Sequence, residues 1–141
     1  MPTDAVDEPA RRQLQQTFVR QARAEPDQIS NVRDELTDWV RALQFPPELV
    51  TDLELATYEA MANVVTHAYP DQHPGPLTVT ATRRPGAIVV TVSDNGRWHD
   101  GPARTDGGRG LLLIRALAPE ASITSTLTGT TVEMTWPWKP A

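Results

Sequence analysis

Apolar positions recur along the chain with two different periods. In "DQISNVRDELTDWVRAL" the residues Ile29, Val32, Leu36, Trp39, Val40 and Leu43 fall at helical spacing. That spacing predicts an amphipathic helix. A second helix is predicted over "PPELVTDLELATYEAMANVVTHAY", with Pro47 in its first turn and Pro70 ending it. "LTVTATRR" and "AIVVTVSD" alternate with a period of two and predict strands. Arg84-Pro85-Gly86-Ala87 links them, with Pro and Gly at the centres of a type II turn, so the pair reads as a hairpin. "QLQQTFVRQAR" predicts a first strand. "NGRWHDGPARTDGGRG" is a Gly-rich loop, and "LLLIRALA" is a short helix stopped by Pro119. "SITSTLTGTTVEMTW" supplies two last strands around Thr128-Gly129-Thr130. The order β-α-α-β-β-loop-α-β-β predicts an α+β two-layer sandwich, with an antiparallel or mixed sheet and helices on one side. Residues 1–13 carry Pro and charge without a period and predict a flexible tail; residues 14–138 predict one domain.

The second helix poses a chemical question. On a helical wheel Val50, Leu53, Met61, Val64, Val65 and Ala68 cluster on one side. Glu48, Asp52, Glu59, Asn63 and Thr66 share the other, with His67 at the border. A solvated face accounts for this pattern. So does a cleft lined by a carboxylate that takes a proton and an amide whose oxygen meets a hard cation.

Composition narrows the field. At 141 residues and 39% hydrophobic, the chain suits one compact domain with a real core. A net charge of −5 argues against nucleic-acid binding by phosphate neutralisation. No apolar run reaches the roughly 20 residues that span a bilayer. "MPTDAVDEPARR" has no apolar stretch, so no secretory signal is expected and a cytoplasmic location is. There is no cysteine, which removes disulfides, thiolate metal sites and a Cys nucleophile. His67, His73 and His99 lack zinc-type spacing.

Three later stretches bear on the question. "IVVTVSDNGRW" is a strand ending in Asp94-Asn95-Gly96. In a simple turn that ending is ordinary; in a site, Asp94 accepts a hydrogen bond from an exocyclic amine and Gly96 lets backbone approach a flat ligand. "DGGRGLLLIRAL" places three glycines before a helix. It is either a plain helix start or an anion site of backbone N–H groups and helix dipole. "TGTTVEMTW" puts Gly129 and Thr130 in a hairpin turn.

Together the pieces read E-x3-N-x3-H-A-Y, S-D-N-G, G-G-R-G-L and G-T-T-V, in that order. Their combination resembles the GHKL (histidine kinase-like) ATPase superfamily. Within it the chain resembles the anti-sigma factor, serine-protein kinase family of the RsbW and SpoIIAB type, over about residues 15–138. The resemblance implies the Bergerat fold: a two-layer sandwich whose sheet is mixed but mostly antiparallel. It implies ATP and Mg²⁺ as ligands. Glu59 takes the place of the general base and Asn63 that of the Mg²⁺ ligand. Asp94 takes the place of the reader of the adenine amino group, with Gly96 beside the ring. Gly108 and Gly110 match the phosphate-holding glycines, and Leu111 starts the following helix. Thr130 matches the Thr that helps fix adenine, with Thr131 the alternative. Arg104 and Arg109 both suit a γ-phosphate contact, and Arg109, among the glycines, is favoured.

Mg-ATP needs a hard oxygen ligand from the protein and leaves other positions to phosphates and water, so a lone Asn suffices. Glu59 stands one helical turn before Asn63, ~6 Å along the axis, which suits a base near the γ-phosphate. His67 is read as packing or hydrogen-bonding near the helix end. The first glycine box continues as Gly96-Arg97-Trp98, without a second glycine, and Leu112 stands where many members repeat one. The implied function is a serine/threonine kinase that phosphorylates a STAS-type anti-sigma factor antagonist and sequesters a sigma factor, as a homodimer. No direct nucleic-acid or membrane partner is implied. The alternatives are an ATP-binding switch without kinase activity and a nucleotide-free interaction module.

Overall fold

The structure, a computed structural model, describes residues 17–69, 73–97 and 109–139, with backbone only for 109–111. The predicted tail, Pro70, Trp98, Arg104 and Gly108 lie outside the described residues. Eight elements run β1 (Thr17–Arg23), α1 (Pro26–Ala42), α2 (Pro47–His67), β2 (Pro76–Arg84), β3 (Ala87–Asp94), α3 (Arg109–Leu117), β4 (Glu120–Thr126) and β5 (Gly129–Pro137). This is the predicted order. Pro26 and Pro47 both occupy first turns, where a missing N–H costs nothing. The second helix stops at His67, two residues short of the predicted Tyr69.

The five strands form one sheet in the order β1-β2-β3-β5-β4, and all four pairings are antiparallel. The expected mixed character is therefore absent from the described strands. Two helices separate β1 from β2, so the chain returns reversed. One helix separates β3 from β4, which run the same way, but β5 lies between them.

Register assigns each side chain to a face, because residues directly opposite share one. On the helix-covered face, Ile88 opposes Trp136, Val90 opposes Met134, and Val92 opposes Val132. All six are buried. Helix α2 lies over β3 and β5, with α1 and α3 packed against it. Its buried side is Val50, Leu53, Ala56, Thr57, Ala60, Met61 and Val64. Val65, expected in this set, is only half-buried. Trp136 joins the core, and its Nε1 donates to the Leu117 carbonyl at 3.0 Å, capping α3. Trp39 and Trp138 are partly buried beside Phe18 and Phe45. The other face of the sheet carries Thr78, Thr80, Thr91, Thr131 and Thr135, half-exposed, as a sheet with one wet side requires.

Candidate functional site

The last row of the helix-covered face changes character. Above Val79, Val92 and Val132 the next positions are Leu77, Asp94, Thr130 and Ser125. A core row thus ends in a carboxylate and two hydroxyls. Asp94 is 6% exposed and Thr130 is 2% exposed. They are direct cross-strand partners on β3 and β5. The hydroxyls of Thr130 and Ser125 lie 3.0 Å apart, in hydrogen-bond contact. Thr131 pairs with Ser93 and belongs to the wet face, so of the two candidate threonines only Thr130 stands beside Asp94.

Beyond Asp94 the chain turns sharply against the end of α2. The Gly96 N–H donates to Asp94 Oδ1 at 3.0 Å, and the Arg97 N–H donates to the Ala68 carbonyl at 2.9 Å. A Cβ on Gly96 would sit 2.1 Å from that same Ala68 oxygen. Glycine is required here by close approach of two backbones. Gly96→Ala is expected to cost about 1–3 kcal/mol, the range for overpacking a filled site. Chemical denaturation of the variant and parent measures it; an unchanged midpoint would count against the close approach.

The same docking fixes the helix that carries the other candidates. Glu59 and Asn63 are half-buried on α2 and Thr66 is exposed, while the opposite side of the helix is core. Asn63 Nδ2 is buried and has no hydrogen-bond partner among the described residues. A solvated face does not leave an amide in that state. Thr57 Oγ1 is likewise buried without a partner, within the packed side of the helix. His67 is half-buried.

Tyr69, just past the helix, reaches the Asp94 turn. Its hydroxyl donates to the Pro76 carbonyl at 2.5 Å and accepts from the Asn95 N–H at 3.1 Å. Burial raises the phenol's pKa above its ordinary value, the Asn95 N–H pulls it back in part, and the Asp94 carboxylate adds to the rise. The phenol is therefore neutral and a hydrogen-bond donor through the physiological range.

The remaining candidates lie at the start of α3. The helix begins at Arg109, directly after the paired glycines of the loop, and Gly110 and Leu111 form its first turn. Their side chains, with Arg104 and Gly108, are outside the description. Helix α3 packs against α2. The structure thus brings together Asp94, Gly96 and Thr130 at one sheet end, docked on the helix of Glu59 and Asn63. Sequence reading missed Tyr69 and Ser125 as members of this cluster. The hairpin turn is Leu127-Thr128, not the expected Thr128-Gly129-Thr130; Gly129 and Thr130 belong to β5, and that shift of register is what sets Ser125 opposite Thr130.

Known proteins share the sequence pattern and the fold of this chain. The sequence model of the histidine kinase-like ATPase domain matches residues 22–136. The chain belongs to this family. Within the histidine kinase-like ATPases, the serine-protein kinase RsbW of Bacillus velezensis is 30% identical, covering 79% of this chain and 79% of its own length. RsbW of Listeria monocytogenes is also 30% identical, over 71% of this chain and 74% of the relative. These place it in the RsbW-type serine-protein kinase family and imply ATP binding. The crystal structure of the RsbU and RsbW domains of a Mycobacterium tuberculosis protein superposes with a TM-score of 0.71 at 25% identity. It covers 89% of this chain, which spans 33% of that one. The SiaB-SiaC complex of Pseudomonas aeruginosa includes a chain of the same fold, with a TM-score of 0.68 at 18% identity. Among the described residues no helix is long and apolar enough to cross a membrane.

Proposed function

We propose that the protein is an ATP-dependent serine/threonine kinase that acts as an anti-sigma factor. It phosphorylates a serine of a STAS-type antagonist and sequesters a sigma factor, working as a homodimer in the cytoplasm. One observation carries the reading. The buried Asp94–Thr130 pair ends a sheet row whose turn is hydrogen-bonded to the end of the helix bearing Glu59 and Asn63. The RsbW relatives, at about this identity, support the reaction type.

Asp94 accepts the hydrogen bond of the adenine amino group, and Thr130 steadies the same ring edge. Gly96 lies beside the ring in this scheme, its own missing Cβ making room for the Ala68 carbonyl that holds the turn. The amides of Gly108 and of Gly110, the latter in the first turn of α3, take phosphate oxygens, where the helix dipole favours negative charge. Arg109 is the favoured γ-phosphate contact, with Arg104 the second candidate. Asn63 would hold the metal through its Oδ1; its Nδ2 is buried without a partner among the described residues, so the amide is not tied down through that atom. Bound there with the phosphates, Mg²⁺ supplies charge neutralisation. Glu59 receives the proton that the substrate serine loses as it attacks.

The test is incubation of the protein with labelled ATP and Mg²⁺ alongside a STAS-domain antagonist. Label on the antagonist's serine is the expected result. ATP binding without transfer to any antagonist would leave a nucleotide-gated switch instead. Undetectable binding at millimolar ATP would leave only an interaction module.

A further inference from the structure

The register of β2 and β3 pairs Leu77 with Asp94. The next opposed residues in that ladder are Pro76 and Asn95. They are not joined directly. The Tyr69 hydroxyl stands between them, donating to the Pro76 carbonyl at 2.5 Å and accepting from the Asn95 N–H at 3.1 Å. A side chain thus supplies the rung that the diverging strands lack. Without that rung nothing among the described residues would join the half-buried Pro76 to the exposed Asn95 at this strand end.

The surroundings are shaped around the ring. A Cβ on Gly75 would lie 2.4 Å from Tyr69 Cε1, so the residue before β2 leaves space that the phenol fills. Gly75 is itself tied down, its carbonyl accepting from the Ala24 N–H at 2.9 Å. On the other side, Ala68 holds the Arg97 N–H. Three successive residues, Asn95 to Arg97, are therefore pinned: the first by Tyr69, the second by Asp94 itself, the third by Ala68.

We infer that Tyr69 is a positioning residue that sets the orientation of the Asp94 carboxylate and thereby the choice of adenine over other purines. The inference rests on the proposed adenine-reading role of Asp94. Tyr69 touches no part of the nucleotide in this scheme. It acts by completing the strand end from which Asp94 projects. With the rung in place, the carboxylate stays on the 6-position, where a 6-oxopurine offers only an acceptor, and does not swing to accept from that purine's neighbouring N1–H. Orientation of a ligand-reading group by its supporting hydrogen bonds is a general source of specificity.

The experiment compares Mg-dependent binding of ATP and inosine triphosphate, whose 6-amino group is replaced by oxygen. The full chain is used as parent, Tyr69→Phe and Gly75→Ala. The parent is expected to prefer ATP by at least about tenfold. Tyr69→Phe removes only the bridging hydroxyl; the preference should fall about tenfold, chiefly through weaker ATP binding. Gly75→Ala keeps the hydroxyl but displaces the ring, and should lower the same ratio. General destabilisation reduces the folded fraction and so weakens both nucleotides alike, leaving the ratio unmoved. A parent with no preference overturns the reading of Asp94. A parent with the preference, and variants that keep it, overturn the role of Tyr69 alone. Should Tyr69→Phe fail to fold, the Gly75→Ala ratio decides by the same criterion.

Discussion

Asn63→Ala is expected to abolish Mg-dependent ATP binding and leave the fold intact. The side chain is half-buried on α2 and its Nδ2 has no hydrogen-bond partner among the described residues, so losing that group breaks no internal hydrogen bond. Alanine is the best helix former, and the helix should not weaken. The loss falls on the ligand side. Even outer-shell partners of a metal cost about 10–100-fold when removed, so losing the protein's own ligand should cost at least about 100-fold. Titration with a fluorescent ATP analogue, with and without Mg²⁺, gives the answer beside a thermal melt. A variant that binds Mg-ATP as tightly as the parent would remove Asn63 from the metal's shell.

Glu59→Gln should separate chemistry from binding. The substitution keeps size and hydrogen-bonding reach and removes only the carboxylate's ability to take a proton. ATP affinity is expected to stay near the parent's. Transfer to the antagonist serine is expected to fall by about 10²–10⁴, the usual contribution of a positioned general base. Single-turnover measurements with labelled ATP separate the chemical step from product release. An unchanged rate would show that the serine loses its proton elsewhere.

Most of the architecture was legible from period alone. Strands β2 and β5 alternate because one face of the sheet is wet, and the helices show stripes because each covers only one side. What resisted was geometry that period does not encode. The sheet's full antiparallelism depends on β5 inserting between β3 and β4, a neighbour relation outside any local window. The buried face of α2 includes Ala56, Thr57 and Ala60, which a search for large apolar residues passes over. Small residues there let the helix lie close to the sheet. Val65 shares the apolar side of the wheel yet only packs half-buried against the core, because the wheel does not say where the sheet lies. Of the site, Glu59, Asn63, Asp94 and Gly96 stood out by type and spacing. Tyr69 did not, because its partner Asn95 lies 26 positions away and the contact forms only when the strand end meets the helix end.

The pairing of Asp94 with Thr130 makes this end of the sheet sensitive to counting rather than to chemistry. Adding one codon between Gly129 and Val132 shifts β5 by a single step and turns its hydroxyl out to water, although every residue type is retained. Adding two restores the facing. Natural or engineered length variation in this hairpin should therefore be tolerated in even steps, and single-codon insertions should behave as losses of function despite a preserved composition.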